Sequence, residues 1–409
     1  MPGWLAVPCA ALAGGVAAAL AIASLAVGAD LASRWHAGFA HAQPVLNLLL
    51  MPAGFAALAW ITRRAFHGAQ GGGVPQALAA LRANDPGPET ATQLSLRIAL
   101  GKVVLTAAGF ACGASIGREG PGIQIGASIL HSLRGRGAGR RALIVAGAAA
   151  GVAATFATPL AALVFAFEQM ARGFERRLLP ASIIAIAAAT STIVLLFGYR
   201  PYFGAIAFGV PAAPVWCAAL ACGAAGGLAG GLFSRALVGG QNWLRPWASA
   251  RPAAIAAGAG LLVALLGLAS GGSIYGSGFG ETRELLHGGA LHVAADPALK
   301  FAATLLSSLA GIPGGLFSPT LAIGAGLGAE FAPWLDAVPM ATLALLGMAA
   351  YQTGVMQAPL TAAVLVAEMV GAPQALLPLL ATSLVAMAAS RCVSRESVYE
   401  GLCRSLTAK

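Results

Sequence analysis

Gly117-Arg-Glu-Gly-Pro121-Gly-Ile-Gln-Ile-Gly126-Ala127 returns 198 residues later as Gly315-Leu-Phe-Ser-Pro319-Thr-Leu-Ala-Ile-Gly324-Ala325. Both keep the frame G-x-x-x-P-x-x-x-I-G-A. A second match follows: Gly147 to Leu160 and Gly347 to Leu360 share their glycine, the alanines at the third and fourth positions, and a closing Pro-Leu. From each Pro-Leu an apolar stretch runs to a glutamate, Glu168 and Glu368. Several landmarks at offsets of 198 and 200 residues describe an internal repeat about 200 residues long, the signature of a fold built from two like halves.

Composition says what solvent those halves face. The 409-residue chain is 58% apolar and 9% charged, against roughly 45–50% and about 25% in soluble domains. Uncharged runs cover Gly3 to Ala29, Ala142 to Phe167, Leu178 to Tyr199, Pro201 to Ser234, Phe301 to Ala329 and Ala337 to Ala367. Each exceeds the ~20 residues that cross a hydrocarbon core as a helix. The partner of this surface is the lipid bilayer. Gly3 to Ala29 has no basic segment before it, which suits a membrane helix better than a cleaved signal peptide. The net charge of +10 does not point to nucleic acid, because the basic residues punctuate apolar runs. Arg63/Arg64, Arg134/Arg136/Arg140/Arg141, Arg172/Arg176/Arg177 and the Arg391–Lys409 tail read as cytoplasmic anchors. The 142–171 stretch between two such groups is then a membrane hairpin.

The expected fold is an all-α polytopic membrane protein of two inverted-topology repeats, with sixteen or seventeen short, tilted and broken helices. The expected division is 1–200, 201–390 and a C-terminal pore-facing helix and tail at 391–409. Six scattered cysteines and His36, His41, His67, His131, His287 and His292 show no metal-ligand spacing. No ATP-binding loop is present. No metal, cofactor or enzyme chemistry is expected.

Four segments break the helical pattern inside apolar surroundings: Gly71-Gly-Gly-Val-Pro75, Gly117-Arg-Glu-Gly-Pro121, Gly314-Gly-Leu-Phe-Ser-Pro319 and Ser394-Arg-Glu-Ser-Val-Tyr399. Proline suits the first turn of a helix and glycine leaves the preceding N–H groups accessible. Each helix start carries unpaired N–H donors and about half a positive charge. Irregular backbone at membrane depth survives only where protein buries it or a cavity lies beside it. Several such starts converging would hold a partly dehydrated anion without a fixed cation. The competing reading is that these glycines only permit tight helix crossings. Glu119 is a carboxylate in an apolar region and so a functional candidate, either mimicking the transported anion or capping a helix beside Arg118. Lys102 either raises the local potential or snorkels to an interface, and Glu368 reads as a structural residue that caps or packs.

These motifs resemble the CLC family of chloride channels and chloride/proton antiporters, over about residues 10 to 405. The G-R-E-G-P and Gly315-Leu-Phe-Ser-Pro319 matches are intact. The resemblance implies a double-barrelled homodimer with one pore per subunit, in a bacterial-like inner membrane. It makes Glu119 the gating glutamate that competes with chloride. It puts Gly72, Gly73, Arg118, Gly120, Leu316, Phe317 and Tyr399 around the anion, with Leu316 and Phe317 giving backbone N–H groups and Tyr399 its hydroxyl. Lys102 matches a lysine found near the pore; by itself Tyr399 also reads as an interface aromatic.

Two positions depart from the pattern. The filter serine falls on Gly72, which opens the choice of anion. A fluoride-specific branch also differs there, but it typically lacks the proline retained here as Pro121. The inner proton-transfer glutamate falls on Gln169, and an amide does not bind and release a proton near neutral pH. Weak or absent proton coupling is therefore expected, the alternative being a chloride/proton antiporter that uses Glu168 or water. A membrane-embedded enzyme or assembly protein would need another polar constellation, and the sequence offers none.

Overall fold

A computed structural model describes residues 3–83, 93–133, 139–171, 173, 175–209, 213–289 and 296–407. Arg134, Arg136, Arg172, His292 and Lys409 lie outside the described residues. Seventeen α-helices, a π-helical turn, a 3₁₀ turn and two isolated bridges make up the regular structure among them. In the first half these are α1 (Gly3–Ala42), α2 (Pro44–Ala65), α3 (Val74–Arg82), α4 (Leu96–Ala111), α5 (Glu119–Ser132), α6 (Arg140–Phe156), α7 (Pro159–Phe165) and α8 (Leu179–Phe197). The second half has α9 (Ala213–Ala250), α10 (Pro252–Ala269), α11 (Phe279–Leu286), α12 (Pro297–Leu309), α13 (Phe317–Ala329), α14 (Met340–Met356), α15 (Pro359–Met369), α16 (Leu376–Val393) and α17 (Val398–Thr407).

The molecule is a multi-pass membrane protein. Stretches within α1, α2, α8, α9, α10 and α16 are long and apolar enough to cross a bilayer. Their outward residues are large and apolar, as at Leu49 (68% exposed), Leu195 (86%) and Leu377 (68%). The first uncharged run ends at Ala29, yet α1 continues to Ala42. Its 40 residues span ~60 Å at 1.5 Å each. Asp30 lies inside this helix, its largely exposed side chain paired with Arg118, 2.8 Å away.

The halves repeat one another in packing as well as in sequence. Helix α5 crosses α6 through Gly126 on Gly147, and α13 crosses α14 through Gly324 on Gly347. At all four positions a Cβ would collide with the facing carbonyl, so the recurring glycines permit close helix approach. The turns after α6 and α14 each place a non-glycine residue in the left-handed region, Ala157 (φ 55°) and Gln357 (φ 52°).

Contacts between the halves are reciprocal. Helix α2 packs on its counterpart α10, and α7 packs on α15. The Glu168 carboxylate accepts from Leu360 N (3.0 Å), Thr361 N (2.6 Å) and Thr361 Oγ1 (2.6 Å) at the start of α15. The Glu368 carboxylate accepts from Leu160 N (3.2 Å) and Ala161 N (2.8 Å) at the start of α7. When residue i meets j′ and j meets i′, the two units are related by a twofold axis. Two inverted repeats meeting face to face produce that pattern. The basic anchor Arg140 is also occupied, donating to Ala83 O (3.0 Å) and Ala80 O at the end of α3.

Candidate anion site

Several helix starts are closed by side chains. Ser95 caps α4, Asp296 caps α12 through Ala298 N and Leu299 N, and the two glutamates cap α7 and α15. Helices α3, α5 and α13 begin without a cap from their own N-cap side chains. All three begin in the same place.

Backbone hydrogen bonds bring them there. Gly71 N donates to Ile312 O (3.2 Å) and Gly314 N donates to Gly71 O (3.1 Å). Gly117 and Gly315 exchange two bonds, of 2.8 and 2.7 Å. The result is a small knot of three loops from two repeats. Gly71 (φ 61°) and Gly73 (φ 100°) adopt left-handed backbone, which glycine enters at no steric cost. Gly120 lies so close to the Gly72 carbonyl that an added Cβ would reach it at 2.5 Å. Gly72 thus sits beside both of the other loops.

Glu119 opens α5 and is fully buried. Its carboxylate lies across the start of α13: Ser318 N donates to Oε2 (3.3 Å) and Ser318 Oγ donates to Oε1. The Phe317 ring completes one wall, 6.1 Å from that of Tyr399, 6.2 Å from Phe165 and 6.3 Å from Phe156. Tyr399, on the short terminal helix α17, is buried. Gly72, Gly73, Glu119, Gly120, Leu316, Phe317 and Tyr399 therefore gather at one point.

Arg118 divides between its backbone and its side chain. Its backbone is the N-cap of α5. Its Nη1 turns to α1, donating to Asp30 Oδ1 (2.8 Å) and Ala26 O (3.2 Å), so the guanidinium's ion pair is with Asp30 and not with Glu119. Lys102 does not snorkel. It is buried and its Nζ donates to Gly71 O at 2.5 Å, setting an ammonium directly behind the first loop. Glu168 and Gln169 lie apart, in a π-helical turn (Ala166–Ala171) that continues α7. The Gln169 amide donates to Met356 O (2.9 Å).

Two contributors escaped the sequence reading. Ser318 stands inside the quoted motif, but as a helix-start serine it gave no sign that its hydroxyl would face Glu119. Tyr202, in the loop between α8 and α9, had no periodic or motif signal. Its ring makes edge contacts with Phe156, Phe203 and Phe279 at 4.8–5.1 Å between centroids. It lines a cavity of about 1040 Å³ together with Asp30, Arg34, Arg118 and Glu281.

Chemically, buried N–H and O–H donors aimed at one carboxylate form a place for a small negative ion. Comparison with known proteins agrees in kind. A family model described as "Voltage gated chloride channel" matches residues 53–391. Three solved structures share the fold. One is a slow cyanobacterial chloride/proton antiporter (TM-score 0.84, 23% identity, 99% of each chain covered). Another is a CLC-type fluoride/proton antiporter (TM-score 0.82, 24% identity, 97% of this chain and 98% of that one). The third is a eukaryotic CLC transporter (TM-score 0.79, 22% identity, 98% of this chain and 74% of that one).

Proposed function

The chain belongs to the voltage-gated chloride channel family, and from that premise we propose that it moves a small anion, chloride, through the three-loop knot with Glu119 as its gate. One observation carries this reading: the Glu119 carboxylate takes its hydrogen bonds from Ser318 N and Ser318 Oγ at the start of α13. A charged carboxylate there occupies the place that a dehydrated chloride would take. Both are drawn by the same partial positive charge at the helix start. Protonation removes the side chain's charge and with it most of that attraction, so the neutral carboxyl swings away and the anion enters. Binding by dipoles rather than by a contacting cation stays loose enough for release. The Lys102 ammonium adds longer-range potential through the Gly71 loop.

Proton coupling by the inner route is not supported by the residues present. Gln169 is an amide bonded to Met356 O, and Glu168 is engaged by three donors as a helix cap. Passive or weakly coupled conduction follows. The alternative is exchange in which water delivers the inner proton to Glu119. Fluoride is the second anion to weigh, since Gly72 offers no hydroxyl and one structural neighbour is a fluoride/proton antiporter. We place the protein in an inner membrane as a homodimer.

Reconstituted liposomes test the mechanism. With chloride flux and proton movement recorded together under opposed gradients, wild-type protein should pass chloride with a flux that rises on acidification. Glu119→Gln should flatten that pH dependence. Full acid activation in E119Q would remove the gate, and uphill proton transport driven by chloride would restore coupled exchange.

A further inference from the structure

The first turn of α13 carries a buried polar pair that the gate does not use. Thr320 and Gln352 are each 1% exposed, and each lies about one helical turn from the Gly324–Gly347 crossing of α13 on α14. The Thr320 hydroxyl stands within hydrogen-bond reach of three oxygens: Leu316 O (2.8 Å), Phe317 O (2.7 Å) and Gln352 Oε1. The Gln352 amide is held from its other end, Nε2 donating to Met356 Sδ (2.8 Å). The Met356 carbonyl in turn accepts from Gln169 Nε2 (2.9 Å). Close helix approach does not require the pair. The first repeat makes the same crossing, Gly126 on Gly147, with Gly122 and Val152 at the equivalent positions.

One hydrogen has to serve these three oxygens, because a threonine hydroxyl carries only one. Leu316 O already accepts from Thr320 N (2.9 Å), and Phe317 O takes the next rung of the same helix ladder. Gln352 Oε1 is buried and has no other donor among the described residues. An unmet buried acceptor is the costly one, so the hydrogen goes to Gln352. That choice reaches the anion site through single peptide groups. The Phe317 carbonyl and the Ser318 N–H belong to one peptide unit, and Ser318 N is the donor to Glu119 Oε2. The Leu316 carbonyl shares its unit with the Phe317 N–H in the same way. A hydrogen bond received at a carbonyl polarises its unit and makes the N–H a stronger donor.

We infer that Gln352 is a positioning residue that draws the Thr320 hydrogen away from the Phe317 and Leu316 carbonyls, and so keeps the N–H donors at the start of α13 weak enough for a bound anion to leave. The inference rests on the anion site of the proposed function and deepens it. Loose binding is what conduction requires, and here it is set from behind the site, by a residue that does not touch the ion. An apolar side chain of similar volume at position 352 hands the hydrogen to the carbonyls and tightens the site.

Chloride binding to the full chain in detergent, followed by isothermal titration calorimetry, tests this. In Glu119→Gln protein the gate carboxylate no longer competes, and chloride should bind at the start of α13. Gln352→Met added to E119Q should lower the chloride dissociation constant by about two- to fivefold, and Gln352→Leu should act in the same direction. The number of sites, fitted separately, reports the folded fraction, so a variant that only destabilises the protein changes that number and not the dissociation constant. Removing the hydroxyl too, with Thr320→Val, should abolish the effect, so that E119Q/T320V/Q352M binds as E119Q/T320V does. Unchanged or weaker binding in both Gln352 variants, or a tightening that persists without the Thr320 hydroxyl, would overturn the role of Gln352. If E119Q binds no chloride, the anion site fails and this inference with it. Binding in E119Q that Q352M and Q352L leave unaltered removes the inference and leaves the site standing.

Discussion

Gly117–Pro121 and Gly315–Pro319 are the same backbone used twice. Their glycines bond to each other, and their N-cap residues Arg118 (φ −98°, ψ −10°) and Leu316 (φ −106°, ψ −18°) adopt nearly the same conformation. Each starts a helix at the next residue, and each helix then crosses its neighbour on paired glycines. The side chains diverge. Where the first repeat has Glu119 and Gly120, the second has Phe317 and Ser318. One copy thus supplies an ionisable group and a bare backbone, while the other supplies an aromatic wall and a hydroxyl that donates to the first copy's carboxylate. Symmetry provides two helix starts at one point, and in the proposed function departure from symmetry makes one of them a gate. The hydroxyl missing at Gly72 is matched, from the opposite repeat, by the one at Ser318.

Where the backbone is shared, equivalent substitutions should act alike, and the largest effects belong to the glycine crossings. Gly147→Leu and Gly347→Leu each push a side chain into a facing carbonyl and should cost about 3 kcal/mol or more. Loss of folded protein in detergent, followed by thermal unfolding, checks this. Tolerance at one crossing but not at its partner would break the equivalence. Smaller effects are expected at the crossed caps. Glu168→Ala and Glu368→Ala should each destabilise by about 1 kcal/mol. Glu168→Gln, whose amide oxygen still accepts, should recover part of that loss without changing the pH profile of flux. A Glu168 substitution that abolished acid activation at unchanged stability would move Glu168 from cap to proton carrier.

Where the side chains differ, the copies should part company. A Cβ at Gly72 would meet only Gly314 O at 3.7 Å and Gly315 Cα at 3.9 Å. Gly72→Ser therefore fits and should raise preference for chloride over larger anions in competition flux, by several-fold for one added hydrogen bond of about 1 kcal/mol. An unchanged ratio would assign selectivity to Ser318 alone. The smallest effect is at the strained turns. Ala157→Gly removes a left-handed penalty of about 1 kcal/mol and should stabilise slightly. Gln357→Gly also loses the bond from Gln357 Nε2 to Ser394 O (2.9 Å), so its net change should be nearer zero.

Much of this architecture was legible in the sequence because it is written in local chemistry. Uncharged runs marked the membrane stretches of α1, α8 and α9 but not those of α2, α10 and α16, and prolines stand at the first turn of α3, α7 and α15. The glycine frames located both the repeat and the crossings. What stayed hidden depends on side chains meeting across long sequence separations. Asp30 looked like the end of a membrane run, but α1 continues past it to Ala42, and Arg118 of α5's start pairs with it. Glu168 and Glu368 were visible as equivalents, but nothing local showed that each caps the other repeat's helix. Tyr202 lies in a loop without periodicity, so its place against Phe156 and Phe279 is a product of the assembled fold.

The claim on which all of this turns is that the start of α13 is an anion site occupied by Glu119's own carboxylate. Anomalous diffraction from Glu119→Gln crystals grown in bromide tests it most directly. A bromide peak within contact distance of Ser318 N, absent or weaker in the wild-type protein, is the expected result. A bromide bound equally well in both proteins, or away from Ser318, Phe317 and Gly72, would contradict it.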